Sequence, residues 1–525
     1  MRAMTDTGLD VHGHTRRALI VSGAAALAAL AGRAPLMAFR DVSGPDPFKM
    51  GVASGDPWTD SVVLWTRLAP QPFAEDGFGA MPTRDVRVKW ELAADASFSR
   101  ILRTGHETAR TAQAHSVHVE VGGLAPGRDY FYRFEAMGHR SRTGRTRTAP
   151  ASGDKTPARF GVVSCSRYET GHFTAYRHLA AEHPDLVLHL GDYIYENAGN
   201  PKTPVTRPFE QGEILTLADY RRRYAIYRTD PDLQTLHAEA PWAIVWDDHE
   251  VDNNWAGDIP EGKQTREQFL ARRSAAFQTH FEVMPMRRAA RPTGSSARIY
   301  REIAWGDLAS FYMLDTRQHR DDQPCGDGNK PDCDDRLQPS RTMLGKAQEA
   351  WLADRARRSR ARWDVLGQQV FFGELWRALP DGRSATPVDS WNGYTAARQR
   401  VLDMFSDRPR NFVVLTGDVH RHYCGTLHAD SRPDGRVVGS EFVTTSVTSG
   451  GDGNDNPATT EPILARNPNL RYSCDRRGYV VTEVAPERWT THYRVVPYVT
   501  RPDAPVETRR SFVVEAGAPG LHAIR

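Results

Sequence analysis

From Phe48 to about Ala149 the apolar positions come in short alternating runs separated by turn residues. Ser61-Val62-Val63-Leu64-Trp65, Val86 to Leu92 and Ser116 to Val121 are examples. Alternation with period two marks strands with one buried face, and about seven such runs predict a β-sandwich over residues 45–150. At Ala158 the rhythm changes. Runs apolar on both faces (Phe160 to Ser164, Leu186 to Leu190, Ala243 to Trp246, Ala309 to Leu314, Asp364 to Gly367, Phe412 to Thr416) now alternate with helix-length amphipathic stretches. The helices are predicted around Phe173–His183, Leu217–Thr229 and Gly345–Arg358. Strands buried on both faces belong to sheets covered by helices. Residues 157–510 therefore predict a layered α/β domain, β-rich after Glu441, with no internal repeat.

The turn Leu124-Ala125-Pro126-Gly127 before the aromatic run Tyr130-Phe131-Tyr132 resembles the end of a fibronectin type III sandwich. Ahead of that domain, Arg16-Arg17 precedes an apolar, Ala-rich run from Ala18 to Gly32. Residues 1–40 thus read as a twin-arginine (Tat) export signal, which predicts a periplasmic or secreted protein handled by the Tat machinery. A protein exported folded can load its metals before it leaves the cytoplasm. The apolar run is short of the roughly 20 residues of a membrane span, and no later segment reaches that length. The 525 residues carry 68 Lys and Arg against 65 Asp and Glu, so the net charge of +3 leaves no nucleic-acid footprint.

The chemistry lies at the ends of four predicted strands. Cys165-Ser166-Arg167 follows the first, Gly191-Asp192-Tyr193-Ile194-Tyr195-Glu196 the second, Asp247-Asp248-His249-Glu250-Val251-Asp252-Asn253-Asn254 the third, and Gly417-Asp418-Val419-His420 a later one. Ligands bind outside the carboxyl ends of strands in open α/β sheets, so the four groups can share one crevice. Converging carboxylates repel unless cations neutralise them. Cys165, Tyr195 and His420 suit a transition metal, whereas Asp248, Asp418 and amide oxygens suit a harder ion. Asp192 is the natural bridge. Two cations roughly 3.5–4 Å apart on a shared carboxylate form an arrangement for phosphate-ester displacement. Of Tyr193 and Tyr195, two apart, one is expected to pack, and Asp247 and Asp252 are expected to cap or form ion pairs.

These four segments resemble those of the PhoD-type alkaline phosphatases, exported members of the calcineurin-like metallophosphoesterases. The resemblance implies a four-layer α/β/β/α core and a centre of Fe³⁺ and Ca²⁺. By position, Cys165, Asp192, Tyr195 and His420 would bind iron, with Asp192 bridging to calcium. Asp248 and Asp418 would be further calcium ligands, and Asn253 a neutral oxygen donor. His249 would stabilise the transition state or give the leaving oxygen a proton, and Arg167 would present its guanidinium to the phosphate. Cys165-Ser166-Arg167 stands where the wider superfamily often has Asp-x-His.

The reading is a phosphoesterase acting on small phosphate monoesters or diesters. A phospholipase D-like diesterase acting on phospholipid is a second reading, and a binding module with a vestigial metal core is a third. Of five cysteines, Cys325 and Cys333 have a spacing that permits a disulfide, and Cys424 with Cys474 is a candidate second pair. Spacing alone leaves the pairing open. The acidic Asp321–Asp335 loop is expected to be a solvated rim.

Overall fold

The runs predicted to be buried on both faces become the centre of two stacked sheets. In the computed structural model, residues 44–197, 205–209, 212–406, 411–430 and 434–524 are described. The expected export segment, residues 1–40, lies outside them. Ala158–Val163, Leu186–Leu190 and Pro241–Val245 lie side by side and parallel, with Leu188 opposite Val162 on one side and Ala243 on the other. Ten strands make up this sheet. Four C-terminal strands from Arg477 to Ala523 extend it in one direction, and Val52–Gly55, Val62–Arg67 and Ser116–Val121 in the other. The second sheet has seven strands built around parallel Ala309–Met313, Trp363–Gln368, Asn411–Thr416 and Val437–Val443.

Strand periodicity sorts the side chains into layers. Along Asn411–Thr416, Val413 and Leu415 enter the core between the sheets, whereas Val414 faces outward. Phe160 of the first sheet meets Phe311 and Trp305 of the second, with ring centroids 4.8 and 5.5 Å apart. Helices Gly345–Arg358 and Thr395–Ser406 cover the outer face of the second sheet through Leu352, Val401 and Leu402. Thr174–Ala181, Leu217–Arg228, Pro231–Glu239 and Arg266–Val283 contribute Leu179, Tyr224, Leu236 and Phe277 to the core of the first. Thr216 with Asp219, and Thr265 with Gln268, close reciprocal hydrogen bonds at two helix starts, and Asp230 caps a third before Pro231. Two large sheets with helices packed against them make a mixed α/β fold.

The N-terminal region departs from a freestanding sandwich. Its Val86–Ala93, Ile101–Ala109 and Asp129–Ala136 strands form a separate sheet, facing Val52–Gly55, Val62–Arg67 and Ser116–Val121 across a shared apolar core. The latter three strands belong to the ten-stranded sheet, because Ser54 pairs in parallel with Pro241. One face of this region is thus a continuation of the ten-stranded sheet. Tyr130 turns its hydroxyl back onto Ala125, 2.9 Å from its N–H and 3.1 Å from its carbonyl oxygen, as in the tyrosine corner of Greek-key sandwiches.

Cys325 and Cys333 are bonded, whereas Cys424 and Cys474 are buried free thiols. Register explains the second outcome. Cys424 lies opposite Tyr472 and Cys474 opposite His422, so the two thiols are diagonal neighbours. Diagonal positions are about 7–8 Å apart, too far for Cβ atoms that a disulfide brings to about 3.8 Å. Titration of the unfolded, unreduced chain with a thiol reagent is expected to count three thiols: Cys165, Cys424 and Cys474. One thiol would mean that the second bond forms.

Candidate metal centre

Three of the four donor loops leave adjacent strands of the first sheet, and the fourth crosses from the second. The crevice therefore straddles both sheets. Two glycines permit the approach. A Cβ on Gly191, whose φ is +101°, would lie 2.4 Å from Asp247 Cβ, and one on Gly417 would lie 2.9 Å from Ser164 Cβ. Cys165, Asp192, Asp418 and His420 all have φ between +54° and +61°. That region is disfavoured for residues with a Cβ, and clustered outliers of this kind mark functional sites. Strain at four expected donors at once implies that the surrounding hydrogen bonds impose their direction.

Donor atoms of Cys165, Asp192 and His420 lie within 4.8 Å of one another, as do those of Asp192, Asp248 and His249, and those of Asp247, Asp248 and Asp418. Asp192 joins the first group to the second and Asp248 the second to the third. Tyr195 belongs to the first group, since its hydroxyl lies 2.8 Å from Asp192 Oδ2 and 3.0 Å from His420 Nε2. Tyr193 is instead a core residue, its hydroxyl 3.0 Å from His237 Nε2. Asp252 forms the expected ion pair, with Arg272 at 3.0 Å. Asp247 forms its pair with Arg317 and also stands beside Asp418 in the cluster.

Asn253 is placed differently from expectation. Its amide nitrogen donates to Glu261, and its backbone N–H to Glu196 at 3.2 Å. The next residue touches the cluster: the backbone N–H of Asn254 donates to Asp248 Oδ2 at 2.8 Å. His249 donates from Nδ1 to Glu196 Oε2 at 2.7 Å, which leaves Nε2 for the crevice. Arg167 lies over the Tyr195 ring at 4.0 Å and spends Nη1 on Glu169 and Asn197.

Several supporting residues were missed in the sequence. Glu250, inside the quoted motif, accepts the backbone N–H groups of Asp192, Tyr193 and Asp247 and so ties the second loop to the third. Arg317 is fully buried, 2.6 Å from Asp247 and 3.8 Å from Asp248, with both terminal nitrogens 2.9 Å from Asp389. It follows Ala309–Met313, a strand of the second sheet. The strand-end rule applied there would have found Asp315-Thr316-Arg317. Glu196 closes the second strand-end segment, whereas Ser449 carried no such signal.

Electrostatics shows the cluster short of positive charge. Burial pushes Asp247 well up, beyond what Arg317 offsets, and Asp248 and Asp418 add to the rise. Burial, then Asp248 and Asp389, pushes Asp418 up to about 7. Burial opposes ionisation of Asp248 too, but Arg317, His249 and the Asn254 amide hold it below the usual carboxylate range. Against burial, Glu196, Asp248 and Asp192 hold His249 well above the usual imidazole value. Burial and then Asp192 push the Cys165 thiol and the Tyr195 phenol up. Asp192 Oδ1, Asp247 Oδ2 and Asp248 Oδ1 are buried without a hydrogen-bond partner. Orphaned carboxylate oxygens beside a thiol and a phenol that cannot ionise unaided fit cations as the missing partners.

A two-sheet layered fold with this acidic strand-end crevice is the frame of a phosphoesterase, and relatives agree. Residues 160–493 match the family model PhoD-like phosphatase, and residues 34–150 its N-terminal domain. Alkaline phosphatase D of Bacillus subtilis is 49% identical over 487 residues, covering 91% of this chain and 82% of that protein. A solved structure of PhoD superposes with a TM-score of 0.88 at 47% identity, over 92% of both chains. The purple acid phosphatase PPD1 from yellow lupin seeds superposes at 0.53 and 12% identity, over 88% of this chain and 74% of that one, a likeness of fold alone. The chain belongs to the PhoD-like phosphatases.

Arg317→Met would leave Asp247, Asp248 and Asp418 without their fixed counter-charge. Breaking a buried pair in this way is expected to cost about 3–5 kcal/mol in denaturant unfolding under chelator. The raised Asp418 adds a sign. A carboxyl held above its unfolded value stabilises fully below about pH 4, and that contribution is lost as pH rises through about 7. The deficit of the variant should therefore be larger at pH 8 than at pH 5. An equal deficit at both would mean that Arg317 acts by packing.

Proposed function

We propose that this phosphatase hydrolyses phosphate monoesters, diesters or both at a paired-cation centre, with Fe³⁺ among Cys165, Asp192, Tyr195 and His420 and Ca²⁺ among Asp192, Asp248 and Asp418. The observation carrying the reading is the linked set of three donor groups with orphaned buried carboxylate oxygens. Thiolate, phenolate and imidazole suit the ferric ion, and the carboxylate side suits the harder one. When bound, such cations supply charge neutralisation and acidify water.

The residues do the rest. Asp192 holds the two halves in register, and Glu250 holds Asp192. Arg167, lying on the Tyr195 ring, offers its remaining N–H groups to a phosphate oxygen. His249, oriented through Nδ1 by Glu196, keeps a proton at Nε2 for the leaving oxygen. Glu196, bonded to Nδ1, favours the protonated ring.

Export through the Tat route is part of the same proposal and rests on Arg16-Arg17 and the Ala-rich run after them. Among the described residues no helix is long and apolar enough to cross a membrane.

Elemental analysis of freshly purified protein should find iron and calcium, and phenolate-to-Fe³⁺ charge transfer should colour it. Asp192→Asn should lower turnover of p-nitrophenyl phosphate by at least about 100-fold, the upper end of what residues merely supporting a ligand cost. Comparing that substrate with its bis ester and a phospholipid separates monoesterase, diesterase and phospholipase D-like action. A colourless protein fully active under chelator would defeat the proposal.

A further inference from the structure

The acidic stretch around Cys325–Cys333 is a solvated rim at Asp321, Asp322, Asp332, Asp334 and Asp335, all exposed, and its half-buried Asp327 also reaches toward the centre. Asp327 accepts the side-chain amide of Asn254 at Oδ2 and the Gly328 N–H at Oδ1. Gln323, just before the loop, donates from Nε2 to the Asn254 carbonyl at 2.6 Å and to Asp389 Oδ1 at 2.7 Å. Behind the loop, Asn329 and Lys330 pair with Pro387 and Thr386, and Val388 N–H bonds the Gly328 carbonyl at 3.1 Å. The segment so anchored leads directly to Asp389, the partner of Arg317.

Asn254 is therefore gripped at its side chain and its carbonyl. Its φ of +48° is a conformation the chain does not adopt without reason. The grip aims its backbone N–H at Asp248 Oδ2. The other oxygen of that carboxylate, Oδ1, is buried without a hydrogen bond, with Arg317 3.8 Å away. Fixing one oxygen through the Asn254 amide directs the second into the crevice.

We propose that the Cys325–Cys333 loop is a positioning device for the Asp248 half of the centre, acting from Asp327 through Asn254. The disulfide limits the excursions of a nine-residue ring and so holds Asp327 in reach of Asn254. The inference rests on the proposed cation site and adds to it a remote determinant, set by residues that are not ligands. Partners that orient a ligand typically matter 10–100-fold in metal affinity.

The test is Ca²⁺ binding by calorimetry to the chelator-treated full chain, with iron content and the thermal midpoint measured alongside. Asp327→Ala, Asn254→Gly and the double variant Cys325→Ser/Cys333→Ser should each weaken Ca²⁺ binding about tenfold. Asn254→Gly keeps the N–H and the carbonyl held by Gln323 and tolerates positive φ, so it removes only the side-chain contact with Asp327. Combining Asp327→Ala with Asn254→Gly should weaken binding no further than either alone, because both cut one chain of contacts. Iron content should remain at the wild-type level. Asp248→Asn is the control: if it abolishes Ca²⁺ binding while the three variants leave it intact, the positioning role is overturned and the site stands. If the wild-type chain binds no Ca²⁺, both fall. Additive losses, or loss of iron together with calcium, would show general loosening and overturn the role as well.

Discussion

Asp192, Asp247 and Asp248 are buried with a half-buried Asp418 beside them, and like charges that close cannot all ionise without cations. Arg317 is a fixed cation beside them, but it divides its charge with Asp389. The remaining deficit is what an incoming metal would fill. Nearly every feature of the crevice serves this imbalance. Glu250 spends its oxygens on backbone N–H groups, Glu196 spends one on His249, and neither competes as a further charge facing the centre.

Holding such a cluster open requires a scaffold stiffer than a loop. Three parallel neighbours in one sheet deliver Cys165, Asp192 and Asp248 from rigid ends, and a strand of the second sheet delivers Asp418 and His420. The aromatic packing of Phe160 against Phe311 and Trp305 fixes one sheet on the other. Positive φ at four donors stores backbone strain, at about 1–3 kcal/mol for each such residue. Separate apolar cores between the two large sheets and under the N-terminal strands can sustain that.

The continuity of the ten-stranded sheet bears on the N-terminal region. Val52–Gly55 pairs beside Pro241–Val245, the strand that carries Asp247 and Asp248 at its end. Arg287 and Arg301 both bond Asp56, which tightens the seam. The N-terminal strands are thus structural partners of the strand that leads into Asp247 and Asp248, and the boundary near residue 150 divides the sequence more sharply than it divides the sheet.

Period-two and period-3.6 patterns were sufficient to place the main strands and helices, because burial of one or both faces writes itself into neighbouring residues. The donors were legible for a related reason. Each sits immediately after an apolar run, where a strand must end and a ligand can begin, so Cys165, Asp192, Tyr195, Asp248, Asp418 and His420 were found by position and type. Arg317, Glu196, Asn254 and Asp327 were not, since their roles depend on partners far along the chain and on which oxygen is left bare. The same limit separates the two cysteine pairs. Cys325 and Cys333 are close in sequence and meet, whereas Cys424 and Cys474 depend on strand register, which set them diagonally and left them apart. Local sequence determines which chemistry is present; only the pairing of strands and the aim of backbone N–H groups decides which atoms face one another.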